Sequence, residues 1–95
     1  MGQRARYRPM RLAAKLLQIR QALGLTQSQL ATLIDNRITT PRICEYESGA
    51  REPALITLLA YAYLVGISTD DLIDDNIDLP EQIRIKRRRK QIALL

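Results

Sequence analysis

The chain has no histidine, tryptophan or phenylalanine, and only one cysteine, Cys44. Without His, and with one Cys, the usual zinc-ligand sets and imidazole acid–base catalysis are excluded. A single Cys forms no internal disulfide, which suits a reducing compartment, and without a resolving thiol Cys44 reads as passive rather than as a redox switch. There is no apolar run of about 18 residues that could span a bilayer. The Arg-rich start lacks the apolar core of a secretory signal. No nucleophile–base pair, Gly-rich phosphate loop or metal-ligand spacing occurs, so the chain reads as no enzyme, with no cofactor and no metal.

Aromatic residues amount to four Tyr in 95 residues, so the core must be built from Leu, Ile and Ala. That length allows one domain burying roughly 60–65% of its unfolded surface. Leu and Ala favour helix, and no segment keeps a sustained period of two, which together predict an all-α compact bundle of about five short helices.

The formal charge is +5, but its distribution says more than its sum. Residues 1–34 hold six Arg or Lys and no acid, residues 70–81 hold six acids and no base, and residues 84–90 hold six bases and no acid. Basic ends around an acidic patch suggest a polyanion on one surface and something else on another. Charge runs of this kind are also common as merely solvated faces.

Residues 1–9 read as a flexible basic arm with Arg4, Arg6 and Arg8 at alternating positions. Such an arm can enter a narrow minor groove or stay untethered. In residues 10–23 the spacing of Leu12, Leu16, Ile19 and Leu23 makes one apolar stripe, widened by Ala13 and Leu17 and closed by Gly24. Arg20 lies close to that stripe, where a charge needs a partner. Thr26 caps a second helix carrying Leu30, Leu33 and Ile34, and its free N–H groups with the Gln27 amide suit a phosphate. Asp35-Asn36-Arg37 breaks that helix. Thr39 or Thr40 caps a third helix over 40–48, with Pro41 in its first turn, Ile43 and Tyr46 inward, and Gly49 at its end. A fourth helix starts near Glu52-Pro53 with Leu55, Leu58, Leu59 and Ala62 as its apolar face and Gly66 at its end. Tyr61 and Tyr63 pack or line a surface. Ser68 caps a short fifth helix with Leu72 and Ile73, its acids turned from any polyanion. Ile83 to Arg87 alternates like a strand, whereas Pro80-Glu81-Gln82 resembles a helix start. Arg87 to Lys90 can grip phosphates, pair with the acids or stay disordered.

Two motifs carry a resemblance: LGLTQ-x-x-LA, followed by I-x-x-YE-x-G-x-REP-x-x-x-x-LL. They resemble the DNA-binding domain of the Cro and phage-repressor type helix-turn-helix family over residues 10–75, with YESGAREP as the most specific part. The family turn is shorter, and about two extra residues stand between Ile34 and Thr39. The resemblance implies a lambda-repressor-like domain at 10–75, with helices 2 and 3 as the helix-turn-helix, and a basic C-terminal extension at 76–95 as a possible dimerisation segment. It implies a sequence-specific double-stranded DNA-binding transcriptional regulator, most simply a repressor, inserting helix 3 into the major groove as a homodimer. Cytoplasmic placement on the nucleoid of a prokaryote or phage-infected cell goes with it. The base-reading candidates are Thr40, Pro41, Arg42 and Glu45: Arg42 can bind guanine bidentately, Pro41 can touch a thymine methyl, and Glu45 can accept from cytosine or orient an Arg. Thr26, Gln27, Thr39 and Arg51 are the phosphate candidates. Arg20 and Glu47 are implied as a partly buried structural ion pair. Leu72, Ile73, Ile77 and Leu79 exceed the apolar needs of a terminal turn and are candidate dimer contacts. The alternative is an antitoxin-like module that neutralises a small protein partner and regulates its own promoter, with the acidic patch and apolar end as partner surface.

Overall fold

The computed structural model describes residues 8–35 and 37–86. Five helices follow one another: α1 (Leu12–Leu23), α2 (Gln27–Ile34), α3 (Thr40–Ser48), α4 (Leu55–Val65) and α5 (Thr69–Ile73). Among the described residues no strand forms, and residues 83–86 have no regular secondary structure. The arm candidates Arg4 and Arg6 and the basic run from Arg87 lie outside the described residues.

Each helix boundary has a local cause. At α2, the Thr26 hydroxyl accepts from the Gln29 backbone N–H at 3.0 Å while the Gln29 side chain accepts from the Thr26 N–H at 2.9 Å, a closed capping box. Pro41 occupies the first turn of α3, where its missing N–H has no intrahelical role. Gly49 ends α3 at φ 85°, a left-handed conformation that L side chains rarely adopt. The turn between α2 and α3 is held by Asp35, whose carboxylate accepts from the Arg37 backbone N–H at 3.0 Å and from its guanidinium at 3.2 and 3.1 Å. The Asp35 carboxyl is accordingly held below its ordinary value, first by the Arg37 side-chain hydrogen bond and then by the backbone one.

α1 packs on α3 and α5, α2 on α3 and α4, and α4 on α5, around one core. That core contains Leu16, Ile19, Leu30, Ile43, Leu72 and, besides the aliphatic side chains, Tyr46 and Tyr61. It continues past Asp75 to Leu79, with Ile83 packed against it. The Tyr61 ring is fully buried and its hydroxyl is without a hydrogen-bond partner among the described residues. Burial first, then the nearby Glu47 charge, pushes its phenol well above the ordinary value.

Two expectations need correction. Leu55 does not join the core: it is 84% exposed, and Ile56 is 54% exposed. The chain enters α4 only at Leu55, with Pro53 buried ahead of it, so the helix turns its Leu58, Tyr61, Ala62 and Val65 face inward. Leu72 and Leu79 are not surface dimer contacts. Both are buried within this chain, because α5 and the segment after it close the end of the α1–α4 core. Ile73 packs against the same core and Ile77 is half-buried.

The closure rests on a charged group that was not singled out from the sequence. Lys15 falls between Leu12 and Ile19 on the α1 stripe and is only 1% exposed. Its Nζ donates to the carbonyl oxygens of Asp71 at 2.7 Å, Asp74 at 2.9 Å and Ile77 at 2.7 Å. Three donors meet three acceptors, so the buried ammonium is satisfied and the α5 C-terminal end is capped in one step. The start of α1 is held from the same segment: the Asp75 carboxylate accepts from the Met10 and Arg11 backbone N–H groups, each at 2.9 Å. Arg11 in turn donates to the Asp75 carbonyl at 2.8 Å and to the Asp78 carboxylate at 2.6 Å. An anion at a helix N-terminus is favoured by the macrodipole.

Candidate nucleic-acid interface

Ile43 and Tyr46 anchor α3 in the core, and this leaves the other side of the helix to solvent. Thr40, Pro41 and Arg42 are exposed at its start, Thr39 caps it without a side-chain hydrogen bond, and Cys44 is also exposed. The outward row is therefore polar, short and free of bulky apolar groups, as a major groove about 12 Å wide requires.

Arg42, Glu45 and Arg51 come together on this side. Glu45 Oε1 accepts a hydrogen bond from Arg51 Nε at 3.1 Å and forms an ion pair with Arg42 Nε at 3.1 Å. A helix residue and a residue of the following loop thus share one carboxylate oxygen. Arg8 is tied to the neighbouring position of that loop, with its Nε donating to Glu52 Oε2 at 3.2 Å. A shallow cavity of about 290 Å³ runs between the two, lined by Arg8, Met10, Ala13, Tyr46, Arg51 and Pro53 among others.

Behind α3 stands the Arg20–Glu47 pair. Arg20 Nε donates to Glu47 Oε2 at 2.8 Å and Nη2 to Oε1 at 3.0 Å, a bidentate fork, while Nη1 donates to the Leu25 carbonyl at 2.9 Å. The side chains are 18% and 5% exposed respectively. The Glu47 hydrogen bond raises the Arg20 guanidinium above its ordinary value, against the opposing effect of burial. Gln27 joins the same carboxylate, its Nε2 donating to Glu47 Oε1 at 3.1 Å. One amide hydrogen of Gln27 therefore orients the side chain and the other stays available. The first turn of α2 and the end of α3 are fastened to one another through Glu47.

Thr26 is placed at the α2 N-terminus, but its hydroxyl oxygen already accepts from Gln29. The backbone N–H groups of Gln27 and Ser28 remain as the orphan donors expected of a first turn. Gln29's capping role, the Lys15 cap and the Arg11 contacts were not foreseen in the sequence. Gln29 had a readable signal, since Thr followed three residues later by Gln is a capping-box pattern.

Part of the acidic run at 70–81 is used within the chain, while Asp70, Asp78 and Glu81 are exposed. Asp71 closes a capping box with Ser68, and Asp75 and Asp78 meet the start of α1. Among the described residues no helix is long and apolar enough to cross a membrane.

Comparison with known proteins bears on this geometry. Residues 16–72, which include the capped α2, the turn, α3, the following loop and α4, match a family model described as Helix-turn-helix. No curated protein and no solved structure matches the chain.

Proposed function

The chain belongs to the Cro and phage-repressor type helix-turn-helix family of DNA-binding transcriptional regulators, and from that premise we propose that it is a sequence-specific repressor that lays α3 in the major groove of double-stranded DNA as a homodimer. The observation that carries this reading is the division of α3: Ile43, Tyr46 and Glu47 fix it to the core, while Thr40, Pro41, Arg42 and Glu45 face outward. A recognition helix must be held rigidly on one side and be polar on the other.

In this reading Arg42 reads guanine, Thr40 and Pro41 contact neighbouring bases, and phosphates are held at the Gln27–Ser28 turn, Thr39 and Arg51. The Thr26 hydroxyl contributes as a donor. Phosphate contacts give affinity and register, and base contacts give specificity.

A dimer reading a near-palindrome needs its recognition helices about 34–36 Å apart. Leu55 and Ile56 suit that contact. They are exposed apolar side chains on the first turn of α4, reached from α3 through the short Arg51 loop. The internal use of Asp71, Asp75 and Asp78 leaves less of the acidic run for a small protein partner, which disfavours the antitoxin-like reading.

The test is binding of the purified protein to its own upstream DNA, titrated against salt, for wild type and Arg42→Ala. The expected result is a discrete protected site, with affinity falling steeply as salt rises and Arg42→Ala losing roughly 1–3 kcal/mol there while keeping non-specific affinity. Weak, sequence-blind binding by wild type would sink the proposal.

A further inference from the structure

An acid on a face that meets a polyanion lowers affinity unless its charge is put to use. Glu45 stands in that position, half-exposed on the outward row of α3. Its Oε1 accepts a hydrogen bond from Arg51 Nε in the loop at 3.1 Å and forms an ion pair with Arg42 Nε, three residues earlier, also at 3.1 Å. In both contacts Nε is the arginine atom set against the Glu45 carboxylate. Among the described residues no acceptor engages the terminal nitrogens Nη1 and Nη2 of either one.

The fork geometry of guanidinium turns this into a constraint. A guanidinium can meet two acceptors side-on, through Nε and one Nη, or end-on, through Nη1 and Nη2. With a carboxylate oxygen standing 3.1 Å from Nε, a second acceptor on the side-on edge would meet that negative charge, and the end-on edge is left open. Both arginines are then ordered before DNA arrives, and ordering a long side chain in advance removes a cost that binding would otherwise carry. On DNA without matching acceptors, loose phosphate contacts reward charge alone, and there Glu45 only subtracts.

We propose that Glu45 is a specificity-determining positioning residue: it reads no base, but holds Arg42 for end-on bidentate bonding to guanine and couples that geometry to the phosphate contact of Arg51. This rests on the DNA-reading role of α3 given above. Glu45 thereby raises the ratio of specific to non-specific binding while lowering non-specific binding itself.

The experiment uses the full chain as wild type, Arg42→Ala, Glu45→Gln, Arg51→Ala and the double variant of Glu45→Gln with Arg51→Ala. A site is first selected by wild type from a randomised duplex pool. All five proteins are then titrated on that site, on single-base variants of it and on a scrambled duplex at several salt concentrations. Glu45→Gln should bind the scrambled duplex more tightly and with a steeper salt dependence, and its specific-to-scrambled ratio should fall about tenfold. The lost discrimination should sit at the guanine that Arg42→Ala also relaxes, and it should shrink when Arg51 is already Ala. Glu45 is solvent-accessible, so Glu45→Gln should melt with wild type, which separates positioning from folding.

An unchanged ratio in Glu45→Gln, with wild type still selecting a site, overturns this inference and leaves the regulator reading intact. Loss confined to a cytosine that Arg42→Ala does not affect, and independent of Arg51, overturns it in favour of direct base reading by Glu45. A wild type that enriches no sequence overturns both readings together.

Discussion

Removing Arg20 should nearly unfold this protein, and restoring nothing but hydrophobic volume should rescue it. The Glu47 carboxylate is 5% exposed and takes two hydrogen bonds from Arg20 and one from Gln27. In Arg20→Met the carboxylate keeps only the Gln27 amide, and the Leu25 carbonyl loses its donor. Breaking one side of a buried pair costs about 3–5 kcal/mol because the remaining charge stays in low dielectric. Total stability of a domain this size is of the order of 5–10 kcal/mol, so that loss is a large fraction of it. With roughly 4–8 °C of Tm per kcal/mol at this size, the melting temperature should fall by about 12–40 °C. Replacing both partners, Arg20→Met with Glu47→Leu, removes the stranded charge and should recover most of the loss. Urea unfolding of wild type, both single variants and the double, followed by circular dichroism, gives the cycle. A loss below about 1 kcal/mol in Arg20→Met, or a double variant no more stable than the worse single one, would refute the reasoning.

Other perturbations separate the remaining features. Tyr61→Phe removes a buried hydroxyl without a protein partner and should be neutral or stabilising by up to about 1 kcal/mol in urea unfolding, whereas a clear loss would contradict the orphan assignment. The raised folded value of the Tyr61 phenol means its contribution is complete below its ordinary value of 10.0 and is lost as pH rises above that. Wild type should therefore lose stability above pH 10, and Tyr61→Phe should lose less of it when both are unfolded along an alkaline series. Lys15→Met keeps the length of the side chain but leaves three carbonyls bare, and should cost about 2–4 kcal/mol in the same assay. Leu55→Asp should change stability by less than about 0.5 kcal/mol while shifting sedimentation from dimer to monomer, because the residue is outside the core. Unchanged self-association in Leu55→Asp would remove α4 as the contact.

How much was legible varied with the range of the interactions involved. The limits of α3 follow from Pro41 and Gly49, both local signals, and the structure has the helix at Thr40–Ser48 as the sequence predicted. The all-α bundle of five helices was also legible. The orientation of α4 was not: LITLLAYAYLV is apolar all round, so periodicity cannot say which side meets the core, and Leu55 was assigned inward. Leu72 and Leu79 looked surplus because their partners on other helices cannot be read from local spacing. The acids at 70–81 looked like a free patch for the same reason, since Asp75 and Asp78 meet Arg11 across 64 and 67 positions of sequence. Of the candidate site, residue types and exposure were predictable, and the Arg20–Glu47 pair was implied by family resemblance. The sharing of one Glu45 oxygen by Arg42 and Arg51 depends on loop geometry that no spacing rule supplies.

The lysine that closes α5 also sets an order on assembly. Its three acceptors stand 56, 59 and 62 positions further along, so α2, α3 and α4 all lie inside the loop it closes. Closing so long a loop is slow relative to forming local turns, and as the chain is synthesised the acceptors emerge only after α2, α3 and α4. A nascent or prematurely ended chain lacking them would carry a buried-type cation with nothing to receive it and an uncovered end of α1. Such a chain should be more open to proteases than one in which the lysine has met its acceptors.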